Sequence, residues 1–176
     1  MPVILGLLAL AAGVVFWMMR AQGAANTARD VADMAQDVRL AARRFGFRRR
    51  ADIHPAESIE DPKLAVAGIA VAFAELDDLP TAEDRARLHV ALRAVLRMSD
   101  ADAQEMEVLG RWLMTQCGGP DATIARLSRK LFRLDGGGHA DALDDILTRI
   151  TDAAGKAPSR RQAEALEDIA RALRPR

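Results

Sequence analysis

The chain has 176 residues, and its 25 Lys and Arg balance its 25 Asp and Glu, so no global field points to nucleic acid as a partner. A single cysteine, Cys117, excludes an internal disulfide. Half of the residues are apolar, yet with two Trp, five Phe and no Tyr that content rests on Ala and Leu, which favours helices over strands.

The first element in chain order is PVILGLLALAAGVVFWMM, Pro2 to Met19, which carries no charged or polar side chain. As a helix it would extend ~27 Å, close to the ~30 Å of a bilayer's hydrocarbon. The run predicts a transmembrane anchor over residues 1–20. Two other readings stay open. Ala21-Gln22-Gly23 resembles the cleavage site of a signal peptide, and a buried core helix would also be apolar. The flanks favour the anchor, because nothing basic precedes the run. Arginines follow it instead, from Arg20 through Arg29 and Arg39 to Arg50. The positive-inside rule then predicts a single pass of the inner (cytoplasmic) membrane, with the N-terminus outside and the C-terminal domain in the cytoplasm. Trp17 falls where an indole sits at the headgroup level.

Residues 21–50 read as a basic juxtamembrane helix. Val31, Met34, Val38 and Phe45 form a narrow apolar stripe, with Asp30, Asp33, Asp37 and Arg44 around it. Such a helix extends the anchor, lies on the domain or pairs with a second copy, which makes a homodimer possible. Arg43, Arg44, Arg48, Arg49 and Arg50 are the candidate membrane-surface residues. Beside anionic lipid each would contribute about 1 kcal/mol, although topology alone also accounts for them. Residues 51–60 read as a linker, and a helical domain follows over residues 61–176.

Within that domain, Asp61-Pro62 has the form of an N-cap and first helical residue. Leu64 to Leu76, LAVAGIAVAFAEL, is apolar on every side and too short to span a bilayer, which predicts a central helix packed all round. Gly68 would let a neighbour approach closely. Thr81 with Asp84 has the spacing of a capping box, and Leu88, Leu92, Val95 and Leu96 supply the next buried face. Ser99 with Asp102 repeats the start signal before Val108, Leu109, Trp112 and Leu113, and Cys117-Gly118-Gly119-Pro120 ends that helix. Asp121 can cap a fourth helix with Ile124, Leu127, Leu131 and Phe132. Asp135-Gly136-Gly137-Gly138 breaks the chain before Leu143, Ile146, Leu147 and Ile150. Ser159 opens a last helix with Leu166, Ile169 and Leu173. The expected fold is therefore all-α, a compact bundle of about six helices. Short connections predict that sequential helices pack as antiparallel neighbours.

The run LAVAGIAVAFAELDDLPTAEDRARL, Leu64 to Leu88, resembles the first motif of the tellurite-resistance TerB-like domain, in which an apolar helix enters an acidic turn and a Glu opens the next helix. A weaker echo, ILTRITDAAGKAPSRRQAEALEDIARAL, repeats the unit from Ile146 to Leu173. An anchor ahead of such a domain is similar to the membrane-bound DnaJ-like co-chaperones of DjlA type. The J domain is missing here, since His54-Pro55-Ala56 stands where its loop would read His-Pro-Asp. The resemblance implies a divalent-cation site on the acidic turn, with Glu75, Asp77, Asp78 and Glu83 as oxygen ligands for Ca²⁺ or Mg²⁺. Helix capping and solvated turn charge explain the same acids. The second unit has Ala154 and Arg161 where acids are usual.

Nothing else in the sequence has the form of a catalytic set. His54, His89 and His139 are far apart, Cys117 has no metal-site partner, and the Gly136–Gly138 loop is neither a P-loop nor an EF-hand. The function expected is that of a membrane-anchored, non-enzymatic module for protein interaction or stress response. Its partners would be membrane lipid and a protein that the sequence does not name, and not nucleic acid. A metal-responsive sensor using the Glu75–Asp84 turn is the alternative.

Overall fold

The structure, a computed structural model, describes residues 53–77, 79–152 and 157–174. The anchor at 1–20, the juxtamembrane helix at 21–50 with its arginines, and Asp78 lie outside the described residues. Six α-helices follow in chain order: α1 (Pro62–Ala74), α2 (Ala82–Leu96), α3 (Asp100–Cys117), α4 (Pro120–Asp135), α5 (Ala140–Asp152) and α6 (Arg160–Leu173). Among the described residues there is no strand, and no helix is long and apolar enough to cross a membrane.

α1 is the axis of the bundle. Asp61 caps it by accepting from the Lys63 N–H at 2.9 Å, and Pro62 occupies the first helical position, where a missing N–H costs nothing. All ten residues from Leu64 to Phe73 are buried. They face α3 and α4 most closely, and also α2 and α5. Small residues make the crossings tight. A Cβ on Gly110 of α3 would lie 3.0 Å from Val71 Cγ2 and 3.4 Å from Gly68 Cα, and a Cβ on Gly68 would lie 2.5 Å from Leu127 Cδ1.

The start signals form as the sequence predicts. Thr81 and Asp84 close a reciprocal capping box on α2, Ser159 and Gln162 close another on α6, and Ser99 accepts from the Asp102 N–H. Left-handed Gly118 and Gly136 end α3 and α4. α2 ends on Arg97 at φ 51°, unusual without glycine, and Lys63 Nζ of α1 donates to its Leu96 carbonyl at 3.2 Å.

Three expectations are corrected. First, helices adjacent in sequence are not the main neighbours: α1 packs chiefly on α3 and α4, α2 on α5, and α4 on α6. A helix apolar on every face needs more neighbours than its two chain-adjacent helices can supply, so long-range contacts set the arrangement. Second, Asp121 is not the cap of α4. Pro120 takes the first helical position, which leaves Gly119 as N-cap without a side-chain bond, and Asp121 pairs with Arg161 of α6 at 2.7 Å. Third, the segment from His54 to Ile59 is not a free linker. Pro55–Ser58 forms a 3-10 turn, with Ala56 and Ile59 fully buried. His54 accepts from the Ala56 N–H and reaches the Gln116 carbonyl at 3.1 Å. The Glu57 carbonyl takes Lys130 at 2.8 Å, and its carboxylate pairs with Arg126 and Arg133. The packed domain thus begins several residues before Asp61.

Candidate functional site

The last two helices pack chiefly on other parts of the bundle, although they follow each other in the chain. α5 buries Leu143, Ile146, Leu147 and Ile150 toward α2 and α1, whereas α6 buries Ala165, Ile169 and Leu173 toward α4. Each is attached to a different part of the bundle, and a groove of about 530 Å³ opens between them. Leu166 and Ala170 reach its surface, above Leu143, Leu147, Ile169 and Leu173, which are buried in the core. The α4–α5 turn meets one end of α6: a Cβ on Gly137 would lie 3.3 Å from the Leu173 carbonyl oxygen. That turn is pinned by Asp135, which accepts from the Gly137 N–H at 3.0 Å and pairs with His139.

The lips of the groove are acidic. Asp141, Asp144 and Glu167 are exposed there, against Arg174 alone. Three other acids on the same two helices have cations close by: Asp145 with Arg149 at 2.7 Å, Glu164 with Arg160 at 2.8 Å, and Asp168 with Arg171 at 2.9 Å. Among the described residues, Asp141, Asp144 and Glu167 have no such partner. Asp141 lies in the first turn of α5, where the helix dipole favours an anion; Asp144 and Glu167 have no comparable local support.

A second polar cluster joins α2 to α3. His89 Nδ1 lies 2.7 Å from Glu107 Oε1, and His89 Nε2 lies 3.0 Å from Asp100 Oδ1. Arg93 also reaches Asp100, at 3.0 Å, and Arg111 approaches Glu107 at 3.5 Å. Glu107 is buried, and such a carboxylate is costly without partners. The hydrogen bond that Asp100 accepts from His89, with that accepted by Glu107, raises the His89 pKa above its ordinary value against the opposing effect of burial. Both ring nitrogens face carboxylates, so neither is left to take a proton from a substrate. The cluster is a clasp between helices and lacks the geometry of a general base.

At the acidic turn, the two acids that open α2 are bonded within that helix and its cap. Glu83 pairs with Arg87 at 2.9 Å, and Asp84 accepts from the Thr81 N–H and hydroxyl while also meeting Arg87. These hydrogen bonds, those to Thr81 above all, hold the Asp84 carboxyl below its usual range. Glu75 and Asp84 border a hollow of about 10 Å³, room for one water at most. Among the described residues, no three His, Cys, Asp or Glu converge as a metal site would need. Cys117 is half-buried, and burial pushes its thiol pKa up, away from the thiolate that nucleophilic chemistry needs.

No protein-family model, curated protein or solved structure matches the chain.

Sequence reasoning did not reach the groove or the His89 clasp. The clasp joins residues 11 and 18 positions apart on two helices, and no local spacing marks it. The groove depends on α5 and α6 choosing different neighbours. Its one local trace is the pair of strongly amphipathic sequences at Leu143–Ile150 and Ala165–Leu173.

Proposed function

We propose that the chain is a membrane-tethered, non-enzymatic adaptor whose helical domain, held in the cytoplasm by the N-terminal anchor, binds another protein in the α5–α6 groove. The observation that carries this reading is the groove itself, about 530 Å³ between two helices, with Leu166 and Ala170 reaching its surface. The apolar run at Pro2–Met19 and the arginines after it support the tether. A TerB-like relationship is part of the same proposal. Its support is that in both units a helix and a proline are followed by a helix with a complete capping box, at Thr81 and again at Ser159.

A photo-crosslinking residue at Ala170, an exposed position lining the groove, tests the reading in native membranes. The expected result is one discrete product that is lost when Leu166→Glu is added. The same residue at Val90, exposed elsewhere on α2, should give none. Equal products from both positions would overturn the groove as the binding site. A chain released from membranes by carbonate without detergent would overturn the tether.

A further inference from the structure

We infer that the outer face of α4, beside which the N-terminal segment enters the domain, lies against anionic lipid of the membrane to which the chain is tethered. This rests on the tether, and it adds which side of the domain meets the bilayer.

The sequence puts the charge in one stripe. Arg126, Arg129, Lys130 and Arg133 recur at steps of three and four, so all four fall within about 100° of the helix circumference. No acid interrupts α4 between its ends, and the two at the ends are engaged elsewhere: Asp121 with Arg161, and Asp135 with His139. Glu57 sets one carboxylate into the stripe, 3.7 Å from Arg126 and 2.5 Å from Arg133, while its carbonyl takes Lys130. Arg129 is exposed and has no ion pair among the described residues. Glu60 is exposed just beyond the turn. Glu164 and Asp168 of α6 flank Ala125, but they pair with Arg160 and Arg171. Even with Glu60 counted beside Glu57, the four cations outnumber the carboxylates. α2 is also rich in arginine, yet Arg85, Arg87, Arg93 and Arg97 are spread around it. Glu83 and Asp84 pair with Arg87, and Asp100 with Arg93.

The path of the chain selects lipid from among anionic partners. The Pro55–Ser58 turn packs on α3 and α4, and Ile53 stands two residues before it. Arg48, Arg49 and Arg50 precede Ile53 by three to five residues, and at ~3.5 Å per residue Arg50 stays within about 11 Å of that entry. Ahead of them stands the apolar run at Pro2–Met19. The point where a tether joins is the part of a domain held at the shortest chain distance from the bilayer. Here that point adjoins the cationic stripe, which continues the arginine run onto folded surface. Arginine and lysine at that distance are drawn to anionic headgroups, within about a Debye length.

The test uses the full chain reconstituted into vesicles that carry a headgroup acceptor dye, of phosphatidylcholine alone or mixed with phosphatidylglycerol. A fluorescent amino acid stands at Ala122, exposed in the stripe of α4, or at Val90, exposed on the side of α2 that holds Arg93 and Arg97. In the anionic vesicles energy transfer from Ala122 should exceed that from Val90. The excess should be absent in phosphatidylcholine and lost in salt at about 0.5 M. The double variant Arg129→Glu, Arg133→Gln leaves the stripe neutral against Glu57 and should abolish the excess, with an unchanged melting curve showing that the fold persists. Arg129→Glu alone, at an exposed position without an ion pair, should remove much of it and decides the matter if the double variant melts early.

An excess equal in both lipids, or one that survives both variants, would overturn the lipid face. So would an excess lost only when Arg48, Arg49 and Arg50 are neutralised, which assigns the contact to the arm alone. An RNA oligonucleotide that binds through Arg129, with no excess on vesicles, would overturn lipid in favour of nucleic acid. A carbonate wash separates this inference from the tether. Retention of the chain without the excess overturns the face and leaves the tether; release of a chain that had shown the excess overturns the tether and supports α4 as a lipid-binding face in its own right.

Discussion

α1 and α6 are both short helices rich in Ala, but the bundle treats them in opposite ways. α1 is buried over every residue from Leu64 to Phe73 and touches four other helices; α6 buries Ala165, Ile169 and Leu173 and rests on α4. One has no polar face and is enclosed. The other has a single apolar stripe, part of which ends in the groove beside α5. Packing is complete where a helix has no alternative to burial. It is left unfinished where polar residues already satisfy the outer face, and that is where a partner can add contacts without disturbing the core.

The sharpest way to break this comparison is to place the same charge on both helices. Ala70→Asp buries a carboxylate in the fully enclosed centre of α1 and should destabilise the domain by several kcal/mol in denaturant melts. Ile59→Ala tests the next level, the 3-10 turn against the core. It should cost about 2–5 kcal/mol, since the side chain is fully buried; a near-neutral result would return the segment to a free linker.

The clasp is intermediate. His89→Ala should cost about 1–3 kcal/mol by leaving the buried Glu107 without its closest partner. Because folding raises the His89 pKa, its contribution is fully present below the unfolded value of about 6.5 and is lost as pH rises through the higher folded value. The native chain should therefore melt at a lower temperature at pH 8.5 than at pH 6, and His89→Ala should shrink that difference. A melting temperature that rises over the same interval for the native chain, and not for the variant, would contradict the clasp.

Smaller effects belong to the exposed sites. Changing Asp77 and Asp78 together to Asn should alter stability by about 1 kcal/mol or less, the size of cap and turn contributions. Calorimetric titration with Ca²⁺, Mg²⁺ or Zn²⁺ should give no saturable isotherm to lose; a micromolar one that vanishes in the double variant would establish the sensor reading. Ala170→Asp, the counterpart of Ala70→Asp on α6, should change stability by about 0.5 kcal/mol or less while weakening groove binding of apolar peptides.

What the sequence disclosed was mostly local. Asp61, Thr81, Ser99 and Ser159 cap helices because their side-chain oxygens accept from N–H groups two or three residues on, a relationship that needs no knowledge of the fold. Gly118 and Gly136 stop helices for the same kind of reason, each by entering the left-handed region. The choice of neighbours was not legible, since α1 meets α4 across a long stretch of chain and no spacing records that preference. Pro55–Ile59 escaped notice because four residues of 3-10 turn carry too little periodicity to register, and Ile59 is buried by side chains far away in sequence. Of the candidate metal ligands, Glu75 follows the end of α1 and Glu83 lies in the first turn of α2. Their company was not visible, because Arg87 competes for Glu83 only once α2 has formed.

The position of α1 also has a consequence in time. Its apolar stretch ends at Phe73, whereas α4, one of its two closest neighbours, is complete only at Asp135. At a synthesis rate of ~5–20 residues per second, roughly 3–12 seconds separate the two. During that interval the nascent chain displays a helix that is apolar on every face and is enclosed only in part, by α2 and α3 as they emerge. The most buried element of the finished protein is thus one whose enclosure is completed late, while the ribosome is still at work.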